Sequence, residues 1–252
     1  MRDPTTELAK LTWPLVEQRL KQGCGAILPV GSTEAHGPHL PLDTDVTIAR
    51  GMALRAAAML EARGDHCLVL PPIAYSVTEF AAGFPGTLTL SPETAVAHLT
   101  EILQGAARAG FAPLAVANGH LEPDHIASIR EAVSQVREST GLDVIFPDVT
   151  RRTLAERLTS EFQSGACHAG AYESSLVMAD DPEAVDDTLR STLPEVDISL
   201  VDVIRAGQKN FIEAGGTQAY FGRPAEASAQ EGHDTFGILA SILVEAMDNA
   251  AH

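Results

Sequence analysis

Short apolar segments alternate with longer amphipathic segments along most of this chain, and this alternation constrains the fold more than any other feature. GAILPV, CLVLPPIAY, PLAVAN and DVIFPDV have the length and composition of buried strands. The segment 91–110 has apolar residues at helical spacing, with Ser91, Pro92 and Gly110 at positions typical of helix ends. Strands that alternate with helices predict an α/β fold with a mostly parallel sheet covered on both faces.

The same patterns predict further helices over residues 46–63, from Pro123, near residues 151–162 and 172–178, and over a long closing segment from Pro224. Residues 180–222 have too little periodicity for a prediction. No repeat or long linker divides the chain, so its 252 residues, 45% of them hydrophobic, predict one large domain.

The charge of −17, from 34 acidic and 17 basic residues, argues against nucleic-acid and anionic-membrane partners, which need clustered Lys and Arg. No apolar run is long enough for a membrane helix, and the polar N-terminus lacks a signal segment, so we expect a cytoplasmic protein. Cys24, Cys67 and Cys167 are too few for a disulfide framework or a cysteine zinc site, and we expect them to be small core residues.

Ionisable side chains are concentrated in the irregular segment VGSTEAHGPHLPLDTD, directly after the first predicted strand. Glu34 and His36 are two residues apart, so their side chains point the same way in an extended segment. Asp45 follows where a helix is predicted to begin, and His39 and Asp43 are interpreted as supports of the loop. A polar surface turn is the alternative that this segment alone leaves open.

A second pair with the same spacing, His120 and Glu122, follows the third predicted strand. The carboxyl ends of parallel strands meet at one edge of a sheet, where ligands bind, so both pairs are expected to open on that edge. Imidazole and carboxylate ligands suit Zn, Mn or Fe(II). Five such ligands, with Asp45 bridging, suit two metal ions better than one.

A third cluster, CHAGAYESS, contains His168 and Glu173, and His168 is either a structural residue or one that faces a pocket. The chain has no nucleophile elbow, P-loop or dinucleotide-binding glycine motif, so no residues that bind an organic cofactor are expected. Four further histidines are interpreted as surface or helix residues without a function: His66, His98, His125 and His233.

Four segments together resemble the creatininase (creatinine amidohydrolase) family: LPVGSTEAHGPHLPLDTD, GFPGTLTL, NGH followed by Glu122, and HAGAYESSL. The similarity runs over residues 12–178, with a weaker match in the C-terminal helix. It implies a single creatininase-like domain over residues 1–252, a three-layer α/β/α sandwich, a homohexamer and two divalent metal ions per chain.

The resemblance also implies roles for single residues. The metal ligands that it implies are Glu34, Asp45 and His120 for one ion, and His36, Asp45 and Glu122 for the other. His168 matches the catalytic histidine of the family, and Glu173 matches an acidic residue near the metals. Glu173 and Glu122 are the candidates for relaying a proton or holding His168 in position.

This sequence departs from its relatives in two places. Phe80 and Ala81 stand where relatives often have Glu and His before the FPGT motif, and Trp13 is the only tryptophan, whereas creatininase encloses creatinine with tryptophans. Creatinine is therefore not the expected substrate. We expect a metal-activated hydroxide to cleave a C–N bond of a small cyclic amide, a lactam or an imide. A formamide substrate, a short peptide substrate and a non-catalytic metal-binding role are the alternatives.

Overall fold

Four parallel strands form a sheet in the part of the chain that the structure describes, a computed structural model covering residues 6–166 and 168–250. The strands are β1 (Gly25–Val30), β2 (Cys67–Val69), β3 (Leu114–Asn118) and β4 (Val144–Ile145), in the spatial order β2-β1-β3-β4. β1 pairs with β3 over most of its length, from Ala26 opposite Leu114 to Val30 opposite Asn118. The strands therefore end at one edge of the sheet, as the alternation predicts.

Helices connect and cover the strands. In chain order they are α1 (Trp13–Lys21), α2 (Thr44–Ala62), α3 (Pro92–Ala109), α4 (Pro123–Thr140), α5 (Arg152–Ala155), α6 (Ser160–Ser164), α7 (Ala171–Asp180), α8 (Asp187–Arg190), α9 (Leu200–Arg205) and α10 (Ala229–Ala250). Single turns of 3₁₀ helix span Leu8–Lys10, Pro182–Ala184 and Pro224–Glu226.

Side chains of β1 alternate between the two faces of the sheet, and each face is covered. Leu28 packs in a cluster with buried residues of α3 and α4, whereas Ile27 packs in a cluster with buried residues of α2, α7 and α10. Every residue of β1 is buried, because helices lie on both sides of it. These layers confirm the predicted α/β/α sandwich.

Local signals placed several elements correctly. Ser91 caps α3 by accepting a hydrogen bond from the Thr94 amide at 3.3 Å, and Gly110 ends that helix with a φ of +99°. The helix predicted over residues 46–63 is α2. It begins two residues earlier than predicted, at Thr44, and Asp43 is the residue that precedes it.

Several predicted elements are shorter in the structure. CLVLPPIAY forms β2 only over Cys67–Val69. DVIFPDV forms only the two-residue β4, because Pro147 has no amide hydrogen to donate and Phe146 accepts a hydrogen bond from the Asp148 amide across a turn. The closing helix begins at Ala229 rather than Pro224. The segment from Pro224 to Ser228 precedes the helix and is anchored by the Ser228 amide, which donates to Ser175 Oγ at 3.0 Å.

Residues 180–222, which had no prediction, contain the short helices α8 and α9 and are held by side chains such as the buried Arg190, which donates to the Pro224 carbonyl at 2.6 Å. Cys24 and Cys67 are buried core residues, as predicted, and Cys167 lies outside the described residues. Within the described ranges, no helix has the length and apolar character needed to cross a membrane.

Candidate metal centre

The two predicted pairs of ligands open on the same edge of the sheet. Glu34 and His36 lie in the loop after β1, and His120 and Glu122 lie directly after β3, the strand that pairs with β1. Asp45 lies in the first turn of α2, where the helix dipole favours a carboxylate. All five side chains are buried, which rules out the solvated surface turn that the sequence left open.

Two glycines bring Asp45 between the two loops. A Cβ added to Gly119, after β3, would lie 2.2 Å from the Asp45 carbonyl oxygen. A Cβ added to Gly31, after β1, would lie 2.5 Å from the Val46 amide nitrogen. The start of α2 therefore packs directly on the ends of both strands, an approach that any side chain at these positions would prevent.

The ring of His120 presents one nitrogen to two carboxylates. Its Nε2–H donates to the Val77 carbonyl at 2.9 Å, and a carbonyl can only accept. The other nitrogen, Nδ1, lies 3.3 Å from Glu34 Oε1 and 3.1 Å from Asp45 Oδ2. In the neutral ring Nδ1 directs a lone pair at these oxygens, so the arrangement needs a cation, either a proton or a metal ion, between them.

His36 repeats this arrangement. Its Nδ1 faces the Glu34 carbonyl at 3.1 Å, and its Nε2 lies 3.1 Å from Asp45 Oδ1 and 3.5 Å from Glu173 Oε2. In both rings a backbone carbonyl orients the imidazole and fixes which nitrogen turns to the carboxylates. This is the support that metal-bound histidines have in proteins.

His168 has the same orientation but lies farther from the carboxylates. Its Nε2–H donates to the Ala35 carbonyl at 2.9 Å, and its Nδ1 is 3.6 Å from Glu34 Oε1. The ring packs between His36 and Phe211, with centroid distances of 4.4 Å to each. His168 therefore faces both the ionisable cluster and an aromatic wall.

The residues present fit a divalent cation. Glu34 Oε1 and Asp45 Oδ2 are buried and, among the described residues, receive no hydrogen bond unless His120 Nδ1 is protonated, an arrangement that costs free energy unless a proton or a metal ion satisfies it. Candidate ligand atoms lie within 4.8 Å of one another in three groups. The groups are Glu34, His36 and His168; Glu34, His120 and Glu122; and His36, Asp45 and Glu173.

The pKa values of these groups reflect the same crowding. Burial lowers the pKa of His36, but the carboxylates of Asp45, Glu173 and Glu34 outweigh it and raise that pKa to about 10. Burial raises the pKa of Glu173 to about 8. In the absence of a metal ion, protons on the rings of His36 and His120 balance the charge of the carboxylates. Metal binding would have to displace these protons.

The carboxylate of Glu122 is held by the protein backbone. Its Oε1 and Oε2 accept hydrogen bonds from the backbone amides of Glu79 and Phe80, at 3.0 and 3.1 Å. These bonds keep it near Glu34 and His120, whereas the implied partner, His36, shares its group with Glu173. The groups of candidate ligand atoms place Glu173 with His36 and Asp45, and Glu122 with Glu34 and His120, so both carboxylates remain candidate ligands.

His125, interpreted as a surface or helix residue without a function, does not lie at the surface. It lies in α4, as predicted, but it is fully buried, and its ring packs against that of His120 with centroids 4.8 Å apart. Its Nε2–H donates to Asn118 Oδ1 at 2.8 Å. Asn118 in turn donates to the His120 carbonyl at 2.5 Å and accepts from the His120 amide at 3.2 Å. The spacing from His125 to the apolar Ile129 and Ala132 places it on the buried face of α4, and this signal was present in the sequence.

His39 and Asp43, interpreted as supports of the loop, lie outside the cluster. His39 is buried and hydrogen-bonded through Nε2 to Ser174 Oγ at 2.8 Å, and it does not line the cavity beside the cluster. Asp43 is exposed, and its carbonyl accepts from the Thr47 amide in the first turn of α2.

Glu161 was not identified from the sequence. Its buried carboxylate accepts hydrogen bonds from the backbone amides of Tyr172 at 2.7 Å and Arg223 at 2.6 Å. It thereby caps the start of α7, which has no side-chain cap of its own. The same short segment carries Ala169 at a φ of +51°, whose amide donates to Glu173 Oε2 at 2.6 Å. No local pattern predicts such a cap, because the acid lies ten residues or more from the amides it binds.

A cavity of about 210 Å³ lies beside the cluster. At one end it is lined by the carboxylates and imidazoles of Glu34, Asp45, His120, Glu122, His168 and Glu173. A buried group of carboxylates and imidazoles at the end of a cavity is a site at which a small molecule can meet bound metal ions.

Comparison with known proteins gives the family. The creatininase family model, described as creatinine amidohydrolase, matches residues 9–247. The chain belongs to the creatininase family. Within this family it is an amidohydrolase, and its buried cluster supplies the residue types that a metal-dependent member needs.

Two relatives and one solved structure illustrate the similarity. A mycofactocin precursor peptide peptidase of Mycobacterium ulcerans (strain Agy99) is 31% identical over 231 residues, covering 89% of this chain and 81% of the relative. A creatinine amidohydrolase of Pseudomonas putida is 30% identical over 219 residues, covering 79% and 82%. A solved structure described as "Creatininase Mn" has a TM-score of 0.75 at 22% identity and covers 98% of both chains, which shows the fold alone.

Proposed function

We propose that this creatininase-family chain is a dinuclear metal-dependent amidohydrolase that cleaves a C–N bond of a small amide. One observation carries the proposal: oxygens of Glu34 and Asp45 are buried without a donor and face imidazole nitrogens whose rings are fixed by backbone carbonyls. Glu34, Asp45 and His120 would hold one ion, His36 and Asp45 would hold the other, and Glu122 and Glu173 are the further candidate ligands. Zn²⁺, Mn²⁺ and Fe²⁺ all accept this set of ligands.

Divalent ions bound there would lower the pKa of a water molecule and polarise the amide carbonyl. His168 would act on the leaving group. Burial, together with the neighbouring His36, lowers the pKa of His168 to about 4, so its ring is neutral at pH 7 and its Nδ1 is free to accept a proton. We infer that Nδ1 takes the proton that the attacking water loses and gives it to the departing nitrogen.

The chemical class of the amide has two candidates. A cyclic amide, a lactam or an imide, is the first, because a cavity of about 210 Å³ beside the cluster suits a compact substrate. A short peptide is the second. It is favoured by the relative described as a peptidase that acts on the mycofactocin precursor peptide, which this chain matches over 89% of its length.

The test is hydrolysis by metal-reconstituted protein of lactams, imides, formamides and short peptides, together with elemental analysis. We expect two metal ions per chain and turnover of at least one amide class. One ion or none would contradict the bridging role of Asp45. Full metal occupancy without turnover across the panel would instead favour the non-catalytic role.

The role of His168 has its own test. His168→Ala should lower turnover by about 10²- to 10⁴-fold, the usual contribution of a general acid–base residue, while metal content stays the same. Loss of metal in this variant would mean that His168 is a ligand, as its group with Glu34 and His36 allows. His98→Ala, a change of an exposed histidine in α3, is the matched control and should alter neither quantity.

A further inference from the structure

Away from the metal end, the wall of the cavity is apolar. Aromatic rings of Phe80, Phe162 and Phe211 line it, with Leu121 beside the cluster. Phe80 and Phe211 pack against each other with centroids 5.9 Å apart, and the Phe211 amide donates to the Phe80 carbonyl at 2.9 Å. The aromatic wall is therefore fixed by contacts within the protein and present before a ligand enters.

The cavity offers no partner for an anionic substituent. Among the described residues that line it there is neither Lys nor Arg. The polar side chains beyond the cluster are Thr150 and Gln163, and both already donate within the protein. Thr150 Oγ1–H donates to Asp148 Oδ1 at 2.6 Å, and Gln163 Nε2–H donates to the Leu158 carbonyl at 2.8 Å. A carboxylate on the substrate would be desolvated here without compensation.

Helix α9 adds apolar side chains at the opening. Leu200 and Val203 face inward and pack in a buried cluster, and the Leu200 amide donates to the Gly165 carbonyl at 2.9 Å. Val201 and Ile204 line the cavity but remain 43% and 37% exposed. More than a third of each side chain stays exposed, and a ligand in the cavity would cover part of this apolar surface.

We propose that the cavity selects amides that carry one uncharged apolar substituent, and that Val201 and Ile204 determine this selectivity. The proposal rests on the proposed function, since the cluster holds the amide end of the substrate. It applies to a cyclic and to a linear amide alike, because it concerns the substituent rather than the reacting bond.

The test uses hydroxamates, which share a metal-binding head group and differ in their tails. Dissociation constants for metal-loaded protein are measured by calorimetry with acetohydroxamate, 4-methylpentanohydroxamate, 3-phenylpropanohydroxamate and 4-carboxybutanohydroxamate. We expect the isobutyl and phenyl tails to bind about 10- to 100-fold more tightly than acetohydroxamate, from the apolar area they bury. The carboxylate tail should bind no more tightly than acetohydroxamate. Equal affinity across the series, or a preference for the carboxylate, would overturn the proposal.

A double variant assigns the effect to α9. Val201→Ser with Ile204→Ser should reduce the advantage of the phenyl tail over acetohydroxamate by at least about fivefold, because the buried apolar area is lost. Met59→Ser is the control, since Met59 is 42% exposed and does not line the cavity. An unchanged advantage in the double variant would overturn the role of Val201 and Ile204.

Failure of the proposed function would look different. A protein that takes up no metal would contradict the proposed metal centre. The preference of the cavity for an apolar substituent would still be measurable by saturation-transfer NMR, which compares the binding of N-isobutylacetamide with that of N-(2-carboxyethyl)acetamide. Binding of the isobutyl amide alone supports the apolar selectivity, and equal signals from both amides overturn it.

Discussion

Glu161 and Asp45 are both buried carboxylates near the cavity, but the protein satisfies only one of them. Both oxygens of Glu161 accept hydrogen bonds from backbone amides, at 2.6 and 2.7 Å. Among the described residues, no backbone amide donates to Asp45 Oδ2, which instead faces His120 Nδ1 at 3.1 Å, so Asp45 lies between two imidazoles. The difference separates two uses of a buried acid. The carboxylate of Glu161 joins two chain segments through their backbone amides. No backbone amide occupies the corresponding place at Asp45 Oδ2, which leaves room for a cation.

The largest effect should come from Asp45. Asp45→Asn keeps the shape of the side chain but removes the charge that faces both His36 and His120. We expect loss of bound metal and a fall in turnover of at least about 10³-fold, since metal ions supply several kcal/mol of transition-state stabilisation. Elemental analysis and steady-state kinetics measure the two quantities.

Asp43→Asn is the control for this change, because Asp43 is an exposed carboxylate in the same loop. It should leave metal content and turnover unchanged. An Asp45→Asn variant that retained metal and activity would show that Asp45 resembles Glu161 and is only structural.

Glu161→Gln tests the other side of the comparison. The amide group of glutamine would turn a donor toward the Tyr172 or Arg223 amide, so one hydrogen bond is lost and two donors face each other. We expect the free energy of unfolding to fall by about 1–3 kcal/mol, measured by urea denaturation of the metal-free protein. Metal content after reconstitution should stay at the wild-type level. Loss of metal with unchanged stability would place Glu161 among the residues of the metal centre.

A smaller effect is expected at Asn118, which is hydrogen-bonded to the backbone of His120 and to His125. Asn118→Ala should weaken metal binding by about 10-fold, the lower range for residues that orient metal ligands. Competition with a metal-binding dye measures the affinity. Ser128→Ala, which removes a buried hydroxyl on α4, is the control. Equal affinities in the two variants would show that the His120 backbone needs no such support.

The smallest effect concerns pH. Burial and the nearby Arg190 lower the pKa of His39 to about 4, so His39 is neutral when folded, whereas its pKa in the unfolded chain is near 6.5. As the pH falls below 6.5 the unfolded state binds a proton that the folded state does not, and stability is lost. Between pH 6.5 and 5.5 this contribution amounts to roughly 1 kcal/mol.

His39→Gln should remove this contribution, so that the stability of the variant falls less steeply over the same interval. Chemical denaturation at both pH values, on metal-free protein, provides the comparison. The same slope in the variant and in the wild type would mean that His39 does not cause the loss. The contrast with His36 follows from the neighbours. Asp45 and Glu173 raise the pKa of His36, whereas burial and Arg190 outweigh the effect of Asp186 on the pKa of His39.

Sequence alone was sufficient for β1, α3 and the edge of the sheet on which the ligands meet. These features depend on local signals or on strand direction. A run of apolar residues forms a strand, Ser91 and Gly110 mark the ends of a helix, and parallel strands must end on one side. The residues that meet at that edge were therefore predictable before their distances were known.

Tertiary structure decided what local patterns do not encode. The grouping of Glu173 with His36, the cap that Glu161 provides for α7, and the burial of His125 all depend on contacts between distant segments. The same holds for α9, whose residues show no clear periodicity. Its position depends on the hydrogen bond from the Leu200 amide to the Gly165 carbonyl and on the packing of Leu200 and Val203 in a cluster with Ala81. The ionisable residues of the site thus follow from the sequence. The arrangement of their donors and the apolar wall of the cavity arise only when the chain packs.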